Sequence, residues 1–222
     1  MNVLGHQRFA LVGHDTGFAI GYALAADHPR RVTRVALAEV PGPPGALPSP
    51  PLFVPDALNN RLWHIPFNRV DNELTVQLVR GREDVFFGNE FDIQDGGRRL
   101  PAYARRYYIR LFARSRSALR GSFEFYPEWG AMLAQNRQRA KQPLEMPVLG
   151  IGGASSWGAA VAKAMQPLAS DVHTAVIPGR GIGWPSRPQE RWWHLSASSW
   201  RHTARLRVVL ARSGHQTSRN RR

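Results

Sequence analysis

Cysteine is absent from the 222 residues, and lysine nearly so, with Lys141 and Lys163 alone. The first absence excludes disulfides, thiolate nucleophiles and cysteine-ligated metals. No apolar run approaches the ~20 residues of a membrane-spanning helix, so no membrane association is expected. The chain opens Met1-Asn2-Val3-Leu4-Gly5 and runs straight into domain-like sequence rather than a leader. With no cysteine, that makes a cytoplasmic protein the expectation. No metal and no cofactor is expected, and the composition leaves the oligomeric state open.

Acidic residues are also scarce: 16 Asp and Glu stand against 30 Lys and Arg, for a formal charge of +14. The imbalance is local. Residues 180–222 hold ten arginines and one acid, Glu190, together with four of the seven tryptophans. Arginine so far in excess of lysine fits a GC-rich coding sequence better than selection for a basic surface, which argues against a nucleic-acid partner.

What is present is enough for a core, since 43% of residues are hydrophobic. Phe9 to Val12 is a short apolar run bounded by Gly13 and reads as a buried strand. Residues 16–28 carry Phe18, Ile20, Tyr22, Ala23 and Leu24 at mixed helical spacing and stop at His28-Pro29. Val32 to Val40 is a second strand, so a β-α-β unit with parallel strands is predicted. Seven prolines between Pro41 and Pro55 mark a stiff boundary. From there to about Gln142 the pattern is helical without β-α alternation. Met146–Gly152 and Val172–Ile177 read as two more strands flanking a short helix at Ala159–Leu168. The expected organisation is an α/β core in 1–50 and 143–179, a helical cap in 51–142, and a basic tail in 180–222.

Gly13-His14-Asp15-Thr16-Gly17 falls between the first strand and the first helix. This is the Gly-x-nucleophile-x-Gly turn, with aspartate as the nucleophile. The turn is sharp, so the central residue is strained and its side chain is presented at the strand's carboxyl end. Gly13 and Gly17 are expected to remove side chains where strand and helix converge. The Thr16 amide opens the helix and would serve as an oxyanion donor. An aspartate in this role attacks carbon and forms an alkyl ester, which an activated water then hydrolyses. The competing reading of Asp15 is a plain helix cap. His6 and His14 are read as structural.

The segment LGHQRFALVGHDTGFAIGYALAADHPRRVTRVALAEVP resembles the corresponding region of α/β hydrolases of the epoxide hydrolase and haloalkane or haloacid dehalogenase group. The cap stretches LWHIPFN, from Leu62, and GSFEFYPEW, from Gly121, are similar to that group too. The resemblance extends to about Gly179. It implies a partial α/β-hydrolase fold and places the nucleophile at Asp15. It makes Glu39, which ends the next strand, the acid that orients a catalytic histidine. Tyr126 matches a cap tyrosine that protonates the opening epoxide oxygen. Trp63 and His64 stand near the place of its partner and are similar to the halide-binding pair of fluoroacetate-type dehalogenases. Those enzymes hold the substrate carboxylate with arginines beside the nucleophile, where this sequence has Thr16 and Ala19. The implied substrate is a small hydrophobic epoxide or halogenated compound.

Two features of the group are missing from the sequence. The strands and the His-Gly-x-Pro oxyanion loop that precede the nucleophile are not there, so an N-terminal truncation and an uncovered sheet edge are expected. The group's Gly-His-(Trp/Phe) after the last strand is replaced by Gly179-Arg180-Gly181-Ile182-Gly183-Trp184. In GC-rich codons, Gly181–Leu195 shifted by one base gives His-Trp-Val-Ala-Glu-Gln-Ala-Pro. The tail is therefore expected to be disordered or the product of a frameshift. The chain is expected to be inactive or to turn over once. The alternatives are a dehalogenase-like remnant and a non-enzymatic protein that binds nucleic acid through its arginine-rich tail.

Overall fold

The computed structural model describes residues 1–48, 51, 53–94, 99–179 and 181–182. Four strands form one parallel sheet in the order β1-β2-β3-β4: Phe9–His14, Val32–Ala38, Val148–Gly153 and Val172–Ile177. Helix α1 (Thr16–Asp27) joins β1 to β2, and α9 (Ala160–Met165) lies between β3 and β4. All four predicted strands are present. The first runs two residues further than predicted, through Gly13 and His14. The second ends earlier, at Ala38.

Burial along each strand follows its place in the sheet. Every residue of β3 is buried and so is every residue of β2 but Thr33, as befits central strands covered on both faces. Strands β1 and β4 alternate in exposure. Among the described residues β1 pairs on one side only, with β2, and Val12 is half exposed. The expected open edge is therefore there. The core fills the angle between the sheet and its helices: Phe18, Tyr22 and Ala25 from α1 and Val161 and Met165 from α9 close on Val32, Val35, Leu37 and Val148. Gly150 permits this approach, because a Cβ there would overlap the backbone of Ala162.

Between β2 and β3 the chain is helical: α2 (Asp56–Leu62), α3 (His64–Asn68), α4 (Asn72–Val79), α5 (Glu83–Gln94), α6 (Ala102–Ala113), α7 (Arg116–Phe123) and α8 (Trp129–Arg139). This segment has its own core of Val76, Val79, Phe86, Phe87, Leu119 and Phe123. Phe86 lies edge-on to both Phe87 and Phe123, at 5.0 and 5.7 Å between centroids. Side chains cap two of the helices. Asp71 accepts from the amides of Glu73 and Leu74 at the start of α4, and Ser115 from that of Ala118 at the start of α7. The segment is tied to the sheet's helix layer at its end, where Arg139 grips Asp27 through two bonds of 2.8 and 2.7 Å.

The predicted basic tail, including the shifted frame, lies outside the described residues apart from Gly181 and Ile182. Among the described residues no helix is long and apolar enough to cross a membrane, and no cluster of His, Asp and Glu could hold a metal ion.

Candidate active site

Asp15 follows β1 with φ 56° and ψ −118°. Its amide donates to the Ala38 carbonyl at 2.9 Å, which pins the bend to the neighbouring strand. The Asp15 side chain makes no capping hydrogen bond to α1 and is exposed. That removes the plain-cap explanation for the residue. Gly13 makes the bend possible, since a Cβ there would overlap the Gly17 carbonyl. The sequence expectation for Gly17 is corrected: a Cβ at that position meets open space. The close approach is one-sided, because Gly17 contributes its carbonyl to the contact and its own α-carbon faces outward. Thr16 is the first residue of α1 and is exposed, so its amide lies at the positive end of that helix.

Three side chains from the helical segment feel the Asp15 charge. Tyr126, in the turn between α7 and α8, is pushed up to about 12 by burial and then by Asp15, with Glu90 adding and Asn68 opposing. It is a phenol, not a phenolate, at any ordinary pH. Its ring stacks on Trp129 at 5.9 Å and lies edge-on to His64 at 6.4 Å. His64, at the start of α3, is held below the usual histidine range by burial, against the pull of Asp15 and the Arg61 carbonyl. It is a neutral imidazole at pH 7. The third side chain is Glu90 on α5. Burial, then the Asp15 charge, pushes its carboxyl up to about 8. Its Oε2 lies 3.4 Å from His64 Nδ1, and the two side chains are 17% and 14% exposed.

The sequence reasoning did not find Glu90. A signal was there: in α5, Phe86, Phe87, Glu90 and Phe91 sit at the spacing of one helical face, so an acid interrupts an aromatic stripe. Of the neighbours Trp63 and His64, only His64 couples to Asp15. Trp63 spends its ring on Phe67 and Phe86, at 5.7 and 5.5 Å, as part of the helical core.

Glu39 immediately follows β2 with φ 105° and is fully buried. Burial pushes its carboxyl up to about 7, against the Gly153 amide, the Ser156 hydroxyl and the Arg61 guanidinium. The Gly153 amide donates to Oε1. Oε2 has no hydrogen bond of good geometry, the nearby Ser156 hydroxyl included. His14 Nε2 lies 2.9 Å from the Ile182 carbonyl.

A parallel sheet, a strained bend at the carboxyl end of a strand and a helical segment between the second and third strands form one arrangement. The chain has the fold of an α/β hydrolase. Cfl2 of Burkholderia cenocepacia superposes with a TM-score of 0.78 at 27% identity, over 90% of this chain and 68% of that one. The epoxide hydrolase CorEH does so at 0.73 and 20%, over 89% and 68%. ALR0039 of Nostoc sp. PCC 7120, a candidate α/β hydrolase, gives 0.76 and 22%, over 91% and 69%. No protein-family profile matches the chain. The α/β-hydrolase fold thus spans nine-tenths of this chain and about two-thirds of each neighbour.

Proposed function

We propose that this α/β hydrolase attacks small hydrophobic epoxides with the Asp15 carboxylate, forming an alkyl-enzyme ester. The single observation that carries the proposal is the setting of Asp15: a strained bend at a strand end, an exposed carboxylate with no structural duty, and three proton-bearing side chains within reach of its charge. Attack forms the Asp15 oxygen–carbon bond and breaks the ring carbon–oxygen bond, and the oxygen must take up a proton. Tyr126 and His64 are its donors, and the helical segment that carries them acts as a cap. An alkyl halide would leave as an anion and need no proton. The protonated surroundings of Asp15 therefore favour an epoxide over a halogenated substrate.

Release of the ester needs a base to activate water. The resemblance gives Glu39 the role of orienting a histidine, but the sequence after β4 reads Gly-Arg-Gly-Ile where it puts that histidine. The ester is therefore expected to accumulate after one turnover. Incubation of the purified chain with 1,2-epoxyhexane should add the mass of one epoxide, mapping to the Asp15 peptide and absent from Asp15→Asn. An adduct that survives in Asp15→Asn, or none in the parent chain, refutes the nucleophile. Sustained diol production refutes the single turnover.

A further inference from the structure

We propose that Glu90 is the proton reservoir for ring opening at Asp15, acting through His64. The proposal rests on Asp15 being the nucleophile. Glu90 sits on the inner face of α5 with Oε2 3.4 Å from His64 Nδ1, and neither Nδ1 nor the second carboxyl oxygen has a hydrogen bond of good geometry, the nearby Arg61 carbonyl included. Two buried polar groups whose nearest complement is each other are costly to leave unpaired, so a short approach between them is favoured.

The direction of that bond decides what His64 can do. A protonated Glu90 donates to Nδ1 and leaves the imidazole proton on Nε2, where it is available as a donor. An ionised Glu90 draws the proton to Nδ1 and turns Nε2 into an acceptor. Burial and the Asp15 charge favour the protonated form at neutral pH, since both raise the Glu90 pKa. The other charged groups packed around α5 are accounted for. Arg61 on α2 takes Gln94 on its carbonyl and turns its guanidinium over Trp157. Arg105 on α6 is engaged with Asp92. Tyr126 stays neutral. Among the described residues, burial and the Asp15 charge are the influences on Glu90, and His64 is the group paired with it.

The proton count closes. Asp15 bonds to carbon, the ring oxygen departs and takes the Nε2 proton of His64, and Nδ1 receives the Glu90 proton. One negative charge disappears from Asp15 and one appears on Glu90. The ester no longer repels charge on Glu90, so bond formation itself eases the proton release. Glu90 never touches the reacting atoms and is a positioning residue.

Two readouts on the full chain test this. With 1,2-epoxyhexane, the rate of adduct formation should be level from pH 6 to 7 and fall about tenfold between pH 7 and 9. In Glu90→Gln it should be at least tenfold slower at pH 7 and level to pH 9. Nitrogen-15 spectra of the His64 ring, without any epoxide, should show the proton moving from Nε2 to Nδ1 as pH rises through 8 in the parent chain. In Glu90→Gln it should stay on Nε2. An unchanged pH fall in Glu90→Gln, or a His64 ring with one tautomer across that range in the parent chain, overturns the proposal. If no adduct forms at all, Asp15 is not the nucleophile, and the ring spectra alone decide whether Glu90 controls His64.

Discussion

Asp15 and Glu39 leave adjacent parallel strands through bends of positive φ, and among the described residues they are the only two non-glycine positions to do so. The Asp15 amide is bonded to the carbonyl of Ala38, the residue just before Glu39, so the two bends are joined. Their side chains then diverge, with Asp15 exposed and Glu39 fully buried. Positive φ in a residue with a Cβ costs on the order of 1–3 kcal/mol and persists only where the surrounding structure holds it.

That cost should be recoverable. Asp15→Gly relieves the strain but gives back up to about 1 kcal/mol through the freer unfolded chain. A net gain of about 1 kcal/mol in urea unfolding is expected, together with complete loss of the epoxide adduct. A destabilised Asp15→Gly would show that the aspartate serves the fold.

Gly13→Ala should do the opposite. The new methyl overlaps the Gly17 carbonyl and cannot be absorbed by a flexible side chain. A loss of about 3 kcal/mol is expected, with the adduct rate reduced at least tenfold because the Asp15 carboxylate shifts with the bend. A fully stable, fully reactive Gly13→Ala would remove the role given to this contact.

The buried Glu39 makes a pH-dependent prediction. Its folded pKa, about 7, lies above the ordinary glutamate value of 4.5. Between those two values the folded state binds more protons than the unfolded, so stability falls as pH rises through the window. Glu39→Gln keeps an acceptor for the Gly153 amide and carries no charge. It should be more stable than the parent chain by up to about 3 kcal/mol at pH 8, with the difference vanishing below about pH 4.5. Glu90 titrates in the same sense in both proteins and cancels in the comparison. Melting curves at pH 4, 6 and 8 provide the check, and a difference that grows toward acid pH reverses the sign.

Phe123 is 1% exposed and meets Phe86 at 5.7 Å inside the helical core. Phe123→Ala should cost about 3–5 kcal/mol. Tyr126 lies three residues on, so the adduct rate should fall with the loss of that core. Near-ultraviolet circular dichroism would register the loosened aromatic cluster.

The sheet was legible along the chain because apolar runs of strand length alternate with helix punctuation, and both are local signals. The 9–12, 32–40, 146–152 and 172–177 segments are strands for that reason, with the ends of the first two displaced by two residues at the bends of Asp15 and Glu39. The Gly-x-Asp-x-Gly turn was legible because its glycine and its aspartate answer to constraints within five residues. Which side chains face Asp15 was not. Trp63 and His64 are neighbours in sequence, yet one packs among Phe67 and Phe86 while the other meets Glu90. That difference depends on which residues of α5 each ring meets, Phe86 or Glu90, and those lie far along the chain.

The sequence by itself determined the parallel α/β architecture, the bend and its aspartate, because each follows from backbone sterics and the spacing of apolar residues. Only the tertiary structure decided that Glu39 is buried without a second partner and that Glu90, distant along the chain, shares the surroundings of Asp15. Burial and charge proximity are properties of packed elements, and they arise only when segments separated by dozens of residues come together.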